Sequence, residues 1–259
     1  MEFVKLELME GVALVTISRP KALNALNRQV LEEIGQAFDS IDQETVRAVV
    51  VTGEGDKSFV AGADIAQMKD MNAKEGCDFG KFGNDIMRKI ETFPLPVIAA
   101  VNGFALGGGN ELAMACDIRL ASENALFGQP EVGLGITAGF GGTQRLARVI
   151  GSTSMAKEIL YTAGNIKADR AKEIGLVNEV YPTGEVVPAA LKLAGKIAKN
   201  APIAVRNTKK AINEGLELNM DEAIKLEAEI FGSCFGTNDQ AEGMGAFLEK
   251  RKEKNFINK

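Results

Sequence analysis

Two short runs constrain this chain most: Ala48-Val49-Val50-Val51-Thr52 and Val97-Ile98-Ala99-Ala100-Val101. A strand with one wet face alternates apolar and polar residues. Runs without that alternation need apolar cover on both faces, which only a sheet flanked by other layers supplies. The first run leads into the loop Gly53-Glu54-Gly55-Asp56, and the second into Asn102-Gly103-Phe104-Ala105-Leu106-Gly107-Gly108-Gly109. Leu31, Ile34, Phe38 and Ile41 recur at helical spacing before the first run. Phe82, Ile86 and Ile90 do so before the second, in a stretch closed by Pro94 and Pro96. Val4–Leu8 and Val12–Ile17, separated by Glu10-Gly11, read as a hairpin that Pro20 ends, and 118–121 as a further strand. This β-then-α rhythm predicts an α/β core with buried sheets.

From about Thr143 the pattern turns almost wholly helical. Asn219 followed by Glu222 reads as a helix start, with Leu226, Ile230 and Cys234 on the stripe beyond it. Asn200-Ala201-Pro202 interrupts that pattern and places a boundary near residue 200. A core over residues 1–200 is expected, with a helical region over 201–259 for capping and oligomer contacts. The Lys-rich end, Lys250 to Lys259, is the one place where disorder is expected.

Composition excludes several functions. A net charge of −5 gives no basic balance for nucleic acid. No apolar run approaches the ~18 residues of a membrane span, and no basic-then-apolar leader is visible, so a cytoplasmic protein is expected. Cys77, Cys116 and Cys234 are far apart without CxxC spacing, which argues against a disulfide framework or a zinc site. The chain has no histidine. Ser-His-Asp and Cys-His catalysis and histidine metal sites are therefore closed to it, and acid–base work near neutral pH falls to carboxylates, Lys, Tyr, Cys or water.

Three segments could carry such work. Gly107-Gly108-Gly109-Asn110-Glu111 follows a buried strand and opens a helix. The first N–H groups of a helix lack internal partners and, with the helix dipole, favour negative charge. A phosphate loop would need Lys-Ser/Thr after the glycines, and a dinucleotide fingerprint a third glycine at the right place; both are missing. A developing oxyanion remains, as does a tight turn with no ligand. Ala61-Gly62-Ala63-Asp64 has the same loop-to-helix shape, and an ordinary helix start capped near Asp64 fits it too. Glu111 opens a mostly apolar run, and Glu131 lies among apolar and glycine residues in 127–135. Lone glutamates are usually solvated, but a carboxyl in apolar surroundings has a raised pKa suited to a general acid.

Taken together, five stretches resemble the crotonase (enoyl-CoA hydratase/isomerase) superfamily. They are Ile17-Ser18-Arg19-Pro20 with Ala25-Leu26-Asn27; Phe59-Val60-Ala61-Gly62-Ala63-Asp64-Ile65; Pro96 to Asp117; Phe127 to Leu146; and Phe247-Leu248-Glu249-Lys250-Arg251. They run in order along nearly the whole chain, and the likeness is strongest to bacterial short-chain enoyl-CoA hydratases, also called 3-hydroxybutyryl-CoA dehydratases. The resemblance implies a crotonase-like α/β fold, shared with proteases of the ClpP type: a spiral of ββα turns with a C-terminal helical trimerisation region. Two stacked trimers would make a homohexamer.

It implies reversible hydration of crotonyl-CoA, a fatty-acid or butyrate reaction. The CoA thioester would be substrate, with no resident cofactor and no metal. By motif position, Glu111 and Glu131 are the acid–base pair, and the N–H groups of Ala63 and Gly108 form the oxyanion hole. Gly139 would sit beside the reacting water, and Gln129 in the loop that positions a glutamate. Ala61, Asp64, Ile65, Met68, Lys57 and Lys250 are the candidate substrate contacts, Lys250 in a neighbouring subunit's site; for either lysine a plain solvated charge is the alternative. Ala66 stands where some relatives carry lysine, so one phosphate contact is absent. Isomerisation, other acyl-CoA chemistry on the same fold and non-catalytic acyl-CoA binding are the rival readings. Retention of both glutamates and of the oxyanion glycine favours hydration, and the lack of histidine excludes the protease.

Overall fold

A computed structural model describes all residues 1–259. The chain begins with a hairpin, β1 (Val4–Met9) and β2 (Val12–Ile17), followed by α1 (Arg28–Asp39). Next come β3 (Ala48–Gly53), β4 (Ser58–Val60), α2 (Ile65–Met68) and α3 (Ala73–Glu91). The same order repeats in β5 (Val97–Val101), β6 (Phe104–Leu106) and α4 (Gly108–Ala115), and again in β7 (Ile118–Ser122) and β8 (Leu126–Gly128). A 3-10 turn, Glu131–Leu134, leads on to α5 (Gly142–Ile150) and α6 (Thr153–Thr162). Then follow β9 (Asn165–Lys167), α7 (Ala168–Glu173), β10 (Glu179–Tyr181) and α8 (Val186–Ala198). The chain closes with α9 (Pro202–Gly215), α10 (Met220–Cys234) and α11 (Asn238–Leu248).

Both hairpin strands belong to a large sheet, ordered β1-β2-β3-β5-β7-β10; the next three turns of the spiral each give it their first strand and give their second to a small sheet, ordered β4-β6-β8-β9. Only β1–β2 and β8–β9 pair antiparallel. The two apolar runs are β3 and β5, adjacent and parallel, with Val50 opposite Ile98. Both are buried along their whole length. Alternation reappears in what covers them: Val49, Val51, Val97, Ala99 and Val101 join the main core with α1, α3 and α4. Ala48, Val50, Ile98 and Ala100 face the other way, against Val186, Ala190 and Ala194 of α8. Cys116 is buried in the main core.

The small sheet positions the site. Because β4, β6 and β8 are parallel neighbours, the segments that leave their C-terminal ends emerge side by side. These are 61–64, 107–111 and 129–131. That end of a parallel sheet is where helix N-termini and irregular backbone gather and where ligands commonly bind.

The second half is almost wholly helical, as expected; its two strands, β9 and β10, are three residues each, recruited by pairing with β8 and β7. Runs that short carry no periodicity to read. One expectation is corrected: the Lys-rich tail has no helix, yet it is pinned. The N–H groups of Ile257 and Asn258 donate to Asp239 at 2.7 and 3.0 Å, and the Asn258 side chain accepts from Arg206 at 2.7 Å. Pro202, at the start of α9, marks the break read near residue 200.

Candidate active site

A cleft of about 790 Å³ opens at the C-terminal end of the small sheet. One wall is the loop after β4 with α2; the second is the start of α4; the third is the 3-10 turn and the loop to α5. Ala61, Ala63, Ile65 and Met68 line it, with Gly107, Gly108, Glu111, Glu131 and Gly139.

The loop after β4 is held by β-like exchange with Leu26, whose N–H donates to Gly62 O while Asp64 N–H donates to Leu26 O, both at 2.8 Å. Asp64 pairs with Arg19 at 2.8 Å and caps α2 through Ala66 N–H. The Asp64 side chain thus serves the fold, and it does not line the cleft. Between the two anchored residues, the Ala63 N–H donates to no group of the protein, and neither does the Gly108 N–H at the first position of α4. Both residues face the cleft. Two unpaired donors on separate, well-held elements fit an oxygen that gains negative charge.

The turn into α4 admits only glycine. Gly107 has φ +49°, and a Cβ there would lie 2.6 Å from Glu131 Oε1. A Cβ on Gly109 would lie 1.9 Å from Val60 O, so α4 can start this close to β4 only without a side chain. Every residue of α4 is buried, and Glu111 is 1% exposed. Its Oε1 accepts from Phe140 N–H at 2.8 Å and Gly142 N–H at 2.6 Å. Burial pushes the Glu111 carboxyl up to about 7; the negative charge of Glu131 adds to that, and the two N–H donors oppose it.

Glu131 opens the 3-10 turn and is half-buried, which raises its carboxyl above the usual range. Gln129 is fully buried, and with its NH2 turned to the carboxylate it donates to both Glu131 oxygens at 3.1 Å. Two carboxyls with raised pKa values in one cleft can take and give protons near neutral pH.

Lys57 and Lys250 are exposed and lie outside the cleft walls. The Lys57 carbonyl accepts from Phe104 N–H at 3.1 Å. Phe256 packs beside Gly243 of α11. Not among the residues expected from the sequence are Phe140 and Gly142, which hold Glu111, and Phe79, Met71 and Gly76, which complete the lining of the cleft. The signal available was Gly139-Phe140-Gly141-Gly142, an aromatic bracketed by glycines.

The family model for enoyl-CoA hydratase/isomerase matches residues 7–256. The chain belongs to the enoyl-CoA hydratase/isomerase family. It is 56% identical to a short-chain-enoyl-CoA hydratase of Clostridium acetobutylicum, over 99% of this chain and 98% of that one. It is equally 56% identical to a crotonyl-CoA hydratase of Syntrophomonas wolfei, over 100% of this chain and 99% of that one. Among solved structures, an enoyl-CoA hydratase from Bacillus anthracis superposes with a TM-score of 0.95 at 38% identity, over 99% and 100% of the two chains. The spiral expected from the sequence is therefore the family's fold.

Proposed function

We propose that this enzyme adds water reversibly across the double bond of short-chain trans-2-enoyl-CoA thioesters, crotonyl-CoA foremost, giving 3-hydroxyacyl-CoA. One observation carries this reading. Two unpartnered N–H groups, at Ala63 and Gly108, border the same cleft as two glutamates with raised pKa values. The names of the relatives at 56% identity support it.

The thioester oxygen accepts from Ala63 and Gly108 N–H. Negative charge builds there as water attacks Cβ, and losing one such donor typically costs about 3 kcal/mol. Glu111 orients the water and takes its proton as the O–Cβ bond forms. Glu131, protonated at the start, delivers a proton to Cα as the enolate collapses. One water is consumed, one proton returns to the pair, and nothing is oxidised. The chemistry asks for no resident cofactor, with CoA serving as the substrate's handle. Isomerisation would need only one carboxyl to shuttle a proton, so the presence of both favours hydration.

The chain acts as a homohexamer in the cytoplasm on this reading. Leu216, Met220, Phe231, Phe247 and Leu248 of the C-terminal helical region are each more than 60% exposed, apolar surface that a second copy would cover. No helix is long and apolar enough to cross a membrane. Loss of the ultraviolet absorbance of crotonyl-CoA tests the activity, and sedimentation equilibrium tests the hexamer. Rapid loss is expected. Inertness towards crotonyl-CoA and towards longer enoyl-CoAs, in a folded sample, would overturn the hydration reading.

A further inference from the structure

We propose that Phe140 is a positioning residue: its ring, wedged into a notch at Gly83 of α3, fixes the backbone that holds Glu111, and so governs turnover more than substrate affinity. The inference rests on the hydration reading for its rate measurements, but its structural core does not.

The notch is defined by what is missing. A Cβ on Gly83 would lie 2.2 Å from Phe140 Cδ1 and Cε1, so ring and side chain cannot share the space. The ring meets Phe79, also on α3, edge-on, with centroids 5.4 Å apart and planes at 68°. Its opposite edge lies 3.3 Å from where a Cβ of Gly108 would stand. One buried ring therefore spans the gap between α3 and the residue at the head of α4 that offers an oxyanion donor.

The backbone around the ring is tied to the same helix. Asn84 of α3 donates to Gly139 O at 2.7 Å. Arg145 donates to Phe140 O at 2.9 Å while paired with Glu91, at the end of α3, at 3.0 Å. Phe140 N–H and Gly142 N–H then both donate to Glu111 Oε1. By contrast, residues 132–137, which lead into this segment, are all exposed. Without the wedge, residues 139–141 keep only polar ties and their exposed approach leaves them free to drift, while Gly142 stays anchored through α5, whose Leu146 is buried in the core. A misplacement of ~1 Å near reacting groups can cost ~10²-fold in rate.

The charged groups that act on Glu111 are Glu131 from the 3-10 turn and Arg145 from α5, the latter paired with Glu91 of α3. None is altered by changing Phe140. The Phe140 and Gly142 donors favour the carboxylate form. Loosening the Phe140 donor therefore moves the limb of the pH–rate profile that reports Glu111 ionisation to higher pH.

The test is a size swap. Phe140→Ala should lower kcat for crotonyl-CoA by ~10- to 10²-fold, with KM within about twofold and the ionisation limb moved up. Gly83→Leu alone, which evicts the ring, should do the same. The double variant Gly83→Leu/Phe140→Ala refills the notch from the other side and should recover most of the lost kcat. If Phe140→Ala does not fold, Phe140→Leu carries the test in the same direction with a smaller loss. A raised KM with unchanged kcat would overturn the proposal, making the ring merely a substrate wall. So would failure of the double variant to improve on either single one. A crystal structure of Phe140→Ala or Phe140→Leu with both Glu111 contacts unmoved would refute the proposal whatever the activity, whereas an inert wild type would refute only the hydration reading.

Discussion

The two carboxyl walls of the cleft are built by opposite means. Glu111 stands on a helix buried at every residue, with two N–H groups on one of its oxygens. Glu131 opens a 3-10 turn and is followed by six exposed residues, Val132 to Thr137, and it relies on the buried Gln129 amide behind it. A carboxyl fixed by its own helix and by a neighbouring loop cannot move without unpacking the core. One carried by a turn can follow its substrate. The contrast suits a pair in which one group must hold a water still while the other reaches a carbon of the acyl chain.

The largest effect separating the two walls from the rest of the cleft should come from the carboxyls themselves. Glu111→Gln and Glu131→Gln should each cost ~10² or more in kcat with folding intact, read by steady-state kinetics. Loss in only one of them would reduce the pair to a single working group. Next comes the packing beneath the Glu111 wall. Gly109→Ala places a Cβ 1.9 Å from Val60 O and should destabilise the protein by roughly 3 kcal/mol or prevent folding, as seen in a urea melt.

A third effect is pH-dependent. The Glu111 carboxyl lies at about 7 when folded, against 4.5 unfolded. A raised pKa favours the folded state below about pH 4.5, and that advantage is lost as pH rises through 7. Glu111→Gln should therefore be more stable than the wild type at pH 8, by on the order of 2 kcal/mol, and the gap should close towards pH 5. An equal gap at both pH values in thermal melts would contradict the burial account. The smallest effect belongs to the Glu131 wall. Gly133→Ala meets only Ala163 Cβ, at 3.9 Å, and should change stability by less than ~0.5 kcal/mol. A large loss there would show the turn to be as tightly held as α4.

How much of this could be read beforehand follows the same division. The buried runs 48–52 and 97–101 declared themselves, because cover on both faces leaves a pattern in one strand's own residues. The glycines at 107–109 and the isolated Glu111 were legible for a similar reason, since close approach and an apolar setting are written locally. The resemblance to the crotonase superfamily, not spacing, joined them to Ala63 and Glu131. Strands β9 and β10 were missed because three residues carry no period, and their place is set by β8 and β7. Phe140 was missed because its role depends on Gly83, more than fifty residues earlier, and an absent side chain leaves no mark until both elements are in place. Lys57 and Lys250 could be proposed from motif position alone; neither lines the cleft of its own chain, and the site expected for Lys250 is a neighbouring subunit's.

The central claim is that Glu111 and Glu131 act on one water as a unit. A double-mutant cycle tests it most directly: kcat for crotonyl-CoA in the wild type, in Glu111→Gln, in Glu131→Gln and in the double variant. Groups that serve one transition state are strongly non-additive. The double variant should be hardly slower than the slower single one. Losses that multiply, so that the double variant falls by the product of the two single effects, would mean that the carboxyls act independently and would contradict it.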